Sequence, residues 1–144
     1  LMTEKSFDPE VWGPHYWFVL QTMAIHYPLH PNDVCKKKYY DFIQNLPLFL
    51  PNTQMGNNLA EIIDKFPITP YLESRLSFMK WVHFIHNKVN DELKKPIIPF
   101  YDALDNYYEQ YRPKKQVKDK NYDFYYKIII VILIIYIVYL YYKQ

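Results

Sequence analysis

The sequence predicts an all-α protein: an antiparallel four-helix bundle with a short fifth helix, followed by a C-terminal transmembrane helix. Three observations favour this fold class. Apolar residues recur at helical spacing in segments that prolines separate, and no segment shows the alternating pattern with hairpin turns that strands require. In addition, an apolar run near the C-terminus carries no charged residue from position 128 to position 142.

Five helices are expected before that run, and several have a boundary signal. Pro14 suits the first turn of the first helix, and Asn32 is a good N-cap for the second. The stretch 46–51 contains two prolines and is expected to form no regular element. The expected bounds are Pro14–Tyr27, Asn32–Leu46, Met55–Phe66, Ser74–Lys94 and Phe100–Tyr111.

The fourth helix carries the most unusual set of side chains. His86 and Asn90 lie one helical turn apart, beside an apolar stripe that should face a core. The stripe consists of Phe78, Val82, Ile85, Val89 and Leu93. His86 and Asn90 are therefore predicted either to bind a ligand or to form hydrogen bonds between packed helices.

The apolar run predicts a membrane anchor. Residues 124–142 are long enough to cross a hydrocarbon layer of about 30 Å, and tyrosines lie at both ends, as in interfacial aromatic belts. A buried core helix would keep a polar face, which this run lacks. We therefore expect a helical bundle at 1–111, a basic linker at 112–123 and a tail anchor at 124–144.

The basic linker sets the expected orientation. Its Arg and Lys residues place the N-terminal domain of a single-pass membrane protein on the cytosolic side. The linker should be a solvated tether or should contact anionic lipid headgroups. Residues Leu1 to Asp8 are polar, so no secretory signal is expected there.

Charge and cysteine content exclude several function classes. A formal net charge of +2 over 144 residues is too small for a nucleic-acid-binding face, so no nucleic-acid partner is expected. The single cysteine, Cys35, excludes an intramolecular disulfide and a cysteine-built zinc site, and it should pack as a small apolar residue. His83 and His86 lack a third convergent ligand, so no metal site is predicted.

Two stretches resemble the signatures of the Erv/Alr sulfhydryl oxidases. Residues 13–28 read GPHYWFVLQTMAIHYP, which is similar to the family pattern G-x-x-x-W-x-x-L-H-x-x-A-x-x-Y-P. Residues 81–96 read WVHFIHNKVNDELKKP and match W-x-x-x-x-H-N-x-V-N-x-x-L-x-K-P at every fixed position. The likeness covers about Val11 to Pro96, and the sequence of these stretches looks most like the versions that large DNA viruses encode.

The resemblance implies a helical bundle that holds FAD beside a CxxC pair at the start of the third helix. In the family, this dithiol takes electrons from a substrate thiol pair and passes them to the flavin, which oxygen reoxidises. The positions that match the family's cofactor contacts are Trp17, Tyr27, Trp81, His86, Asn87, Asn90 and Lys95. Lys95 is expected at a phosphate, and the alternative is that these residues are retained only as core.

The chain departs from the family where the chemistry occurs. Asn52-Thr53-Gln54-Met55 stands in place of the CxxC pair, and Gln21 replaces the histidine of the first signature. Neither Asn52 nor Met55 can form a thiolate or a mixed disulfide, so no catalytic residue is predicted. FAD is the only cofactor that the resemblance implies, and its binding is left open.

These observations lead to a main hypothesis and an alternative. The main hypothesis is a membrane-anchored, redox-inactive relative of the oxidases, without enzyme activity, that binds other proteins as a virion or minor capsid component of a virion inner membrane. The alternative is an FAD-dependent thiol oxidase whose cysteines a partner supplies. Because the family commonly pairs through its first two helices, a homodimer through helices 1 and 2 is also expected.

Overall fold

The structure, a computed structural model, describes residues 7–113 and 120–143. The chain divides into two compact units, Leu1–Tyr111 and Arg112–Gln144. All regular structure in the described ranges is helical, which confirms the predicted all-α class. The α-helices there are α1 (Pro9–Ile25), α2 (Asp33–Asn45), α3 (Thr53–Lys65), α4 (Arg75–Glu92), α5 (Phe100–Glu109) and α6 (Lys120–Tyr142).

Helix α1 begins at Pro9, so the prediction that Pro14 opens it is wrong. The side chain of Asp8 is the N-cap and accepts the backbone N–H of Glu10 at 2.9 Å. Pro9 takes the first helical position, where the missing N–H of a proline removes no hydrogen bond. Pro14 lies inside the helix, and this earlier start adds Glu10 to the first turn, where a carboxylate is favoured.

The segment before α3 is more regular than predicted. Leu46–Phe49 forms a short 3₁₀ helix, so the expectation of no regular element there is wrong. Asn52 is the N-cap of α3, and its side-chain oxygen accepts the backbone N–H of Met55 at 3.0 Å. This bond pairs one of the backbone donors that the start of a helix leaves without a partner.

Gly56 allows α3 to lie directly on this 3₁₀ helix. The residue is buried, and a Cβ atom added to it would stand 2.6 Å from the carbonyl oxygen of Pro47. The obstacle is backbone rather than a flexible side chain, so any larger residue must push the two segments apart. Gly13 in α1 is different, because an added Cβ atom would meet nothing within 4 Å.

We expect Gly56→Ala to lower the free energy of unfolding by about 1–3 kcal/mol, the usual cost of overpacking a tight contact. The matched control, Gly13→Ala, should raise it by about 0.5–1 kcal/mol, because alanine favours the helix and has free space. Thermal unfolding followed by circular dichroism would measure both changes. A Gly56→Ala protein as stable as the wild type would show that α3 and the 3₁₀ helix separate easily.

Helix α4 is central to the N-terminal unit, since it contacts α1, α3 and α5. From its predicted stripe, Phe78, Val82 and Ile85 are buried. Leu93 is 45% exposed because it caps the end of the helix, so its assignment to the core is wrong. The largest fully buried side chains in this unit are Tyr27, Ile43, Ile68 and Phe78.

Helix α5 closes the bundle, as predicted, through one buried tyrosine. The Tyr107 hydroxyl lies 2.9 Å from the Thr22 hydroxyl of α1 and 2.8 Å from the Tyr111 hydroxyl. Its ring stacks on Phe18 with the centroids 5.3 Å apart. This polar and aromatic contact fixes α5 against α1 and leaves Tyr101 on the solvent side, 72% exposed.

The second unit contains α6. By length and composition, its segment Phe124–Tyr142, with 19 residues and a mean hydropathy of 2.2, is the one candidate membrane span in the described ranges. The predicted basic linker falls partly on residues 114–119, which lie outside the described residues. The helix already begins at Lys120, inside the rest of that linker.

Candidate functional site

A cavity of about 640 Å³ opens in the N-terminal unit. Its walls come from α1, the start of α3 and the end of α4. Pockets that hold cofactors and drug-sized ligands usually measure about 300–1,000 Å³. The aromatic and polar side chains that matter most in its lining are Trp17, Gln21, Asn58, His86, Asn90 and Lys95.

An aromatic stack joins α1 and α4 at the wall of this cavity. The rings of Trp17 and His86 are nearly parallel, with an interplanar angle of 15° and centroids 4.1 Å apart. Burial lowers the pKa of His86 to about 4, and the neighbouring His83 and Lys95 add to the effect. The imidazole is therefore neutral at pH 7 and offers one N–H donor and one acceptor nitrogen.

The way in which α4 ends brings Lys95 to the cavity. Lys94 has a left-handed backbone with a φ of 55°, and its N–H donates to the carbonyl of Asp91 at 3.0 Å. The N–H of Lys95 donates to the carbonyl of Asn90 at 2.8 Å, which completes a Schellman motif. The chain turns there, and Lys95 Nζ lies 2.7 Å from Glu10 Oε1.

The structure brings four of the seven predicted cofactor residues together at the cavity: Trp17, His86, Asn90 and Lys95. Asn90 and His86 lie one turn apart on α4, as their spacing predicted. Asn90 is 8% exposed, so its amide is held inside the unit with little access to solvent. These four side chains supply a ring surface, an amide and a cation.

The other three predicted residues lie outside the lining of this cavity. Tyr27 is completely buried in the core. Trp81 Nε1 donates to the carbonyl of Phe66 at 3.0 Å, so this indole ties α4 to the end of α3. The Asn87 amide makes two bonds to the backbone of Ile98, one at 2.9 Å through Nδ2 and one at 3.2 Å through Oδ1. Their positions support the unit that surrounds the cavity.

The start of α3, where the resemblance implies a CxxC pair, lies at the wall of the cavity. Met55 lines the cavity, while Asn52 caps the helix three positions earlier. A thioether and an amide cannot exchange with a disulfide. Cys35, the one cysteine in the sequence, is half-buried on α2 and is absent from the lining of the cavity. No thiol of this chain therefore stands beside the cavity.

Sequence reasoning missed two residues at this site. Glu10 faces Lys95, but the helix start expected at Pro14 placed Glu10 outside any helix. Tyr16 lines the cavity, and its hydroxyl donates to the carbonyl of Phe49 at 2.8 Å, which fixes the 3₁₀ helix against α1. The sequence Asp-Pro is a signal for the start of a helix, and it would have placed Glu10 in the first turn of α1. The second depends on a contact between distant parts of the chain.

The lining residues fit FAD by their chemistry. Trp17 and His86 present flat rings, which suit an aromatic ring system, and Lys95 presents a cation, which suits a phosphate. Asn90 can both donate and accept a hydrogen bond. Gln21 also lines the cavity, at the position where the family pattern has histidine. Among the described residues, no group of three or more His, Cys, Asp or Glu side chains is placed to hold a metal ion.

Comparisons with known proteins identify the family of this chain. The profile of the Erv1 / Alr family matches residues 14–121. A protein of Acanthamoeba polyphaga mimivirus named "Probable FAD-linked sulfhydryl oxidase R368" is 33% identical over 110 residues, which cover 76% of this chain and 77% of that protein. The FAD-linked sulfhydryl oxidase of African swine fever virus (isolate Warthog/Namibia/Wart80/1980) is 33% identical over 99 residues, which cover 69% of this chain and 81% of the relative.

A solved structure has the same fold. The crystal structure of the FAD binding domain of Erv1 from Saccharomyces cerevisiae matches with a TM-score of 0.62 and 28% identity. The match covers 66% of this chain and 89% of the yeast domain. FAD, the cofactor that the resemblance implies, is also the one that these relatives carry in their names.

These comparisons overturn the main functional hypothesis. The predictions of a redox-inactive protein without enzyme activity, and of a structural role in a virion or capsid, are wrong, because the relatives are named sulfhydryl oxidases. That hypothesis rested on Asn52-Thr53-Gln54-Met55, which stands in place of the CxxC pair. The viral and yeast matches confirm the predicted relationship. The chain belongs to the Erv1 / Alr family.

Proposed function

We propose that this protein is an FAD-linked sulfhydryl oxidase whose reactive thiol pair comes from a partner protein. Two thiols of the partner lose two electrons and two protons and form a disulfide. Molecular oxygen accepts them and becomes hydrogen peroxide. The observation that carries the proposal is the cavity, which keeps the Trp17–His86 stack and Lys95 although the chain has no thiol beside it.

The residues of this chain have distinct roles in the proposal. The neutral rings of Trp17 and His86 would orient the ring system of FAD, and Lys95 would pair with its phosphates. Asn90 would add a hydrogen bond from inside the bundle. When bound, FAD supplies a two-electron acceptor that oxygen can reoxidise.

The wall at Met55 explains why the thiols would come from outside. In this chain the side chain at position 55 reaches the cavity but cannot exchange with a disulfide. Asn52 beside it is exposed, so a partner can approach the start of α3 from solvent. A cysteine pair carried on a partner could therefore reach the place where the family's own pair would stand.

The absorbance spectrum of the full chain, purified in detergent with added FAD, gives the first test. Reduced and unfolded ribonuclease is then added as a source of protein thiols. A yellow protein that shows a flavin band and takes up oxygen after this addition would support the proposal. Cys35→Ala should leave oxygen uptake unchanged, because this residue lies outside the cavity. A colourless protein that binds no added FAD would refute the proposal.

The ion pair between Lys95 and Glu10 allows a sharper test of the phosphate contact. The two side chains are 42% and 70% exposed, so their mutual attraction is weak and is worth at most about 1 kcal/mol. We expect Lys95→Ala to weaken FAD binding about 3-fold to 10-fold, because a charge-assisted contact is lost. Glu10→Gln should strengthen binding about 2-fold to 5-fold, because a competing carboxylate is removed.

Titration of FAD fluorescence would measure both dissociation constants. The matched control is Lys88→Ala, since Lys88 lies over the rings of Phe66 and Phe84 and is absent from the lining of the cavity. If Lys88→Ala and Lys95→Ala change the dissociation constant of FAD equally, Lys95 contributes to binding only through the overall charge of the protein. Lys95 would then have no direct contact with the phosphates.

We also propose that α6 anchors the protein in a membrane, with the N-terminal unit on the cytosolic side. The length and hydropathy of Phe124–Tyr142 support the anchor, and the basic residues at 112–120 of the sequence support the orientation. A virion inner membrane stays a prediction. Exposed apolar side chains on α1 and α2, Val19, Val34 and Phe42, support the predicted homodimer through these helices.

A further inference from the structure

Two tyrosines lie in the part of α6 that would cross the hydrocarbon. The middle of Phe124–Tyr142 is Leu133, so Tyr136 lies only about 4.5 Å beyond the middle along the helix axis, and Tyr139 about 9 Å. The remaining tyrosines of this segment stand near its ends, where phenols usually meet the headgroups. The ring of Tyr139 lies 5.8 Å from Lys143 Nζ, but this contact gives no partner to its hydroxyl group, and Tyr136 lies deeper still.

The direction of helical side chains keeps the Tyr136 hydroxyl in the hydrocarbon. Side chains on an α-helix lean toward the N-terminus, so this phenol points back to the middle of the layer and away from the nearer, C-terminal interface. That interface is about 10 Å from the Tyr136 backbone, which exceeds the length of a tyrosine side chain. Among the described residues, neither Tyr136 nor Tyr139 donates a side-chain hydrogen bond.

A hydroxyl group without a partner is costly in hydrocarbon, so a polar group from another helix should approach this face. Tyr136 and Tyr139 are about 60° apart around the axis and form one polar edge on the segment 128–140, which is otherwise apolar. In two parallel copies of α6, the same residue lies at the same depth in each. One phenol can then donate to the other, because each hydroxyl is both a donor and an acceptor.

We propose that α6 pairs with the α6 of a second copy of this chain, in parallel, through the face that carries Tyr136 and Tyr139. This pairing rests on the membrane anchoring proposed above and is separate from the contact expected through α1 and α2. A two-fold axis through the pair makes the surface self-complementary, as an isologous dimer requires. Hydrogen bonds between side chains are among the forces that hold helices together in membranes.

Cysteine cross-linking of the full chain in phosphatidylcholine vesicles tests the face directly. Cys35→Ala removes the native thiol, and Ile132→Cys or Ile134→Cys then adds a single one. Ile132 lies within about 40° of both tyrosines around the axis, whereas Ile134 is at least about 140° from both. We expect oxidation with copper phenanthroline to cross-link the Ile132→Cys protein several-fold faster than the Ile134→Cys protein.

Removal of the hydroxyl group tests the cause. In the Ile132→Cys protein, Tyr136→Phe should lower the association constant of the dimer about 3-fold to 30-fold. This is the range expected for the loss of one hydrogen bond between membrane helices. Tyr142→Phe, at the end of the segment, is the matched control and should change nothing. Equal cross-linking from both faces, or no effect of Tyr136→Phe, would overturn the pairing.

Flotation with the vesicles after an alkaline carbonate wash separates the two proposals. A chain that fails to float would overturn both the anchor and the pairing. If the chain floats but its cross-linking shows no preferred face, the anchor stands and the pairing fails. Oxidase activity does not enter either measurement, so its absence would leave both results interpretable.

Discussion

The double variant Asn52→Cys, Met55→Cys is expected to oxidise dithiothreitol without any partner, about 100-fold faster than the wild type or more. The reason is proximity, since a pair held beside the cavity replaces an encounter between separate molecules, and such a change can be worth several orders of magnitude. The geometry is already present. The side chain of Asn52 reaches the backbone N–H of Met55 at 3.0 Å, and Met55 lines the cavity.

The helix start should also activate the introduced thiols. Position 52 is the N-cap of α3 and position 55 lies in its first turn, where the partial positive charge of the helix favours a thiolate and lowers the pKa of a cysteine. Loss of the Asn52 cap should cost about 1 kcal/mol of stability, which leaves the protein folded. Dithiothreitol would reduce the introduced disulfide by thiol–disulfide exchange. The two introduced cysteines would then be reoxidised, with oxygen as the final electron acceptor.

Oxygen uptake with added FAD measures this gain. Each single variant, in a Cys35→Ala background, is the matched control, because one thiol cannot form an internal disulfide. The gain should therefore appear only when both changes are combined. If the double variant binds FAD but oxidises dithiothreitol no faster than the wild type, Met55 does not face the reactive part of the cofactor, and the proposed site is misplaced.

Acid is expected to destabilise the N-terminal unit through His86. Its pKa is about 4 in the folded protein and about 6.5 in the unfolded chain, mainly because burial disfavours the charged ring. Between these values the unfolded chain binds more protons, so stability falls as the pH falls from about 6.5 to about 4. The shift corresponds to a loss of up to about 3 kcal/mol.

Urea unfolding of the full chain in detergent, followed by tryptophan fluorescence at several pH values, would measure this slope. All three tryptophans lie in the N-terminal unit, so the signal reports on that unit and not on α6. The groups that interact with His86 are His83 and Lys95, and burial also lowers the pKa of His83. His86→Gln should therefore flatten the slope but leave a residual contribution from His83. An unchanged slope in that variant would show that His86 is not the group that titrates.

Much of the fold could be predicted because its signals are local. The apolar spacing of α4 and the caps Asn32 and Ser74 lie within one or two turns of the helices that they define. The start of α1 is harder to predict, because Pro9 and Pro14 are both suitable first residues and only the Asp8 cap distinguishes them. That choice depends on one side-chain hydrogen bond, which spacing alone does not show.

The site was only partly predictable, because the resemblance identifies residue types but not where they point. His86 and Asn90 reach the cavity, whereas Asn87 turns to the backbone of Ile98. Tyr107 became the buried residue of α5 through its bond to Thr22, a partner 85 positions away in the sequence. Contacts at such distances leave no periodic pattern in the chain. The cavity likewise is lined by residues of α1, α3 and α4, which lie far apart in the sequence.

The cap at Asn52 has a consequence for how the protein responds to its surroundings. A cysteine pair at the start of α3 would tie the order of that helix to the local balance of oxidants and reductants. Here an amide fastens the same turn by a hydrogen bond, and the chain has no second cysteine to pair with Cys35. We therefore expect millimolar glutathione to leave the stability of the fold unchanged, even though the proposed task of the protein is to make disulfides in other proteins.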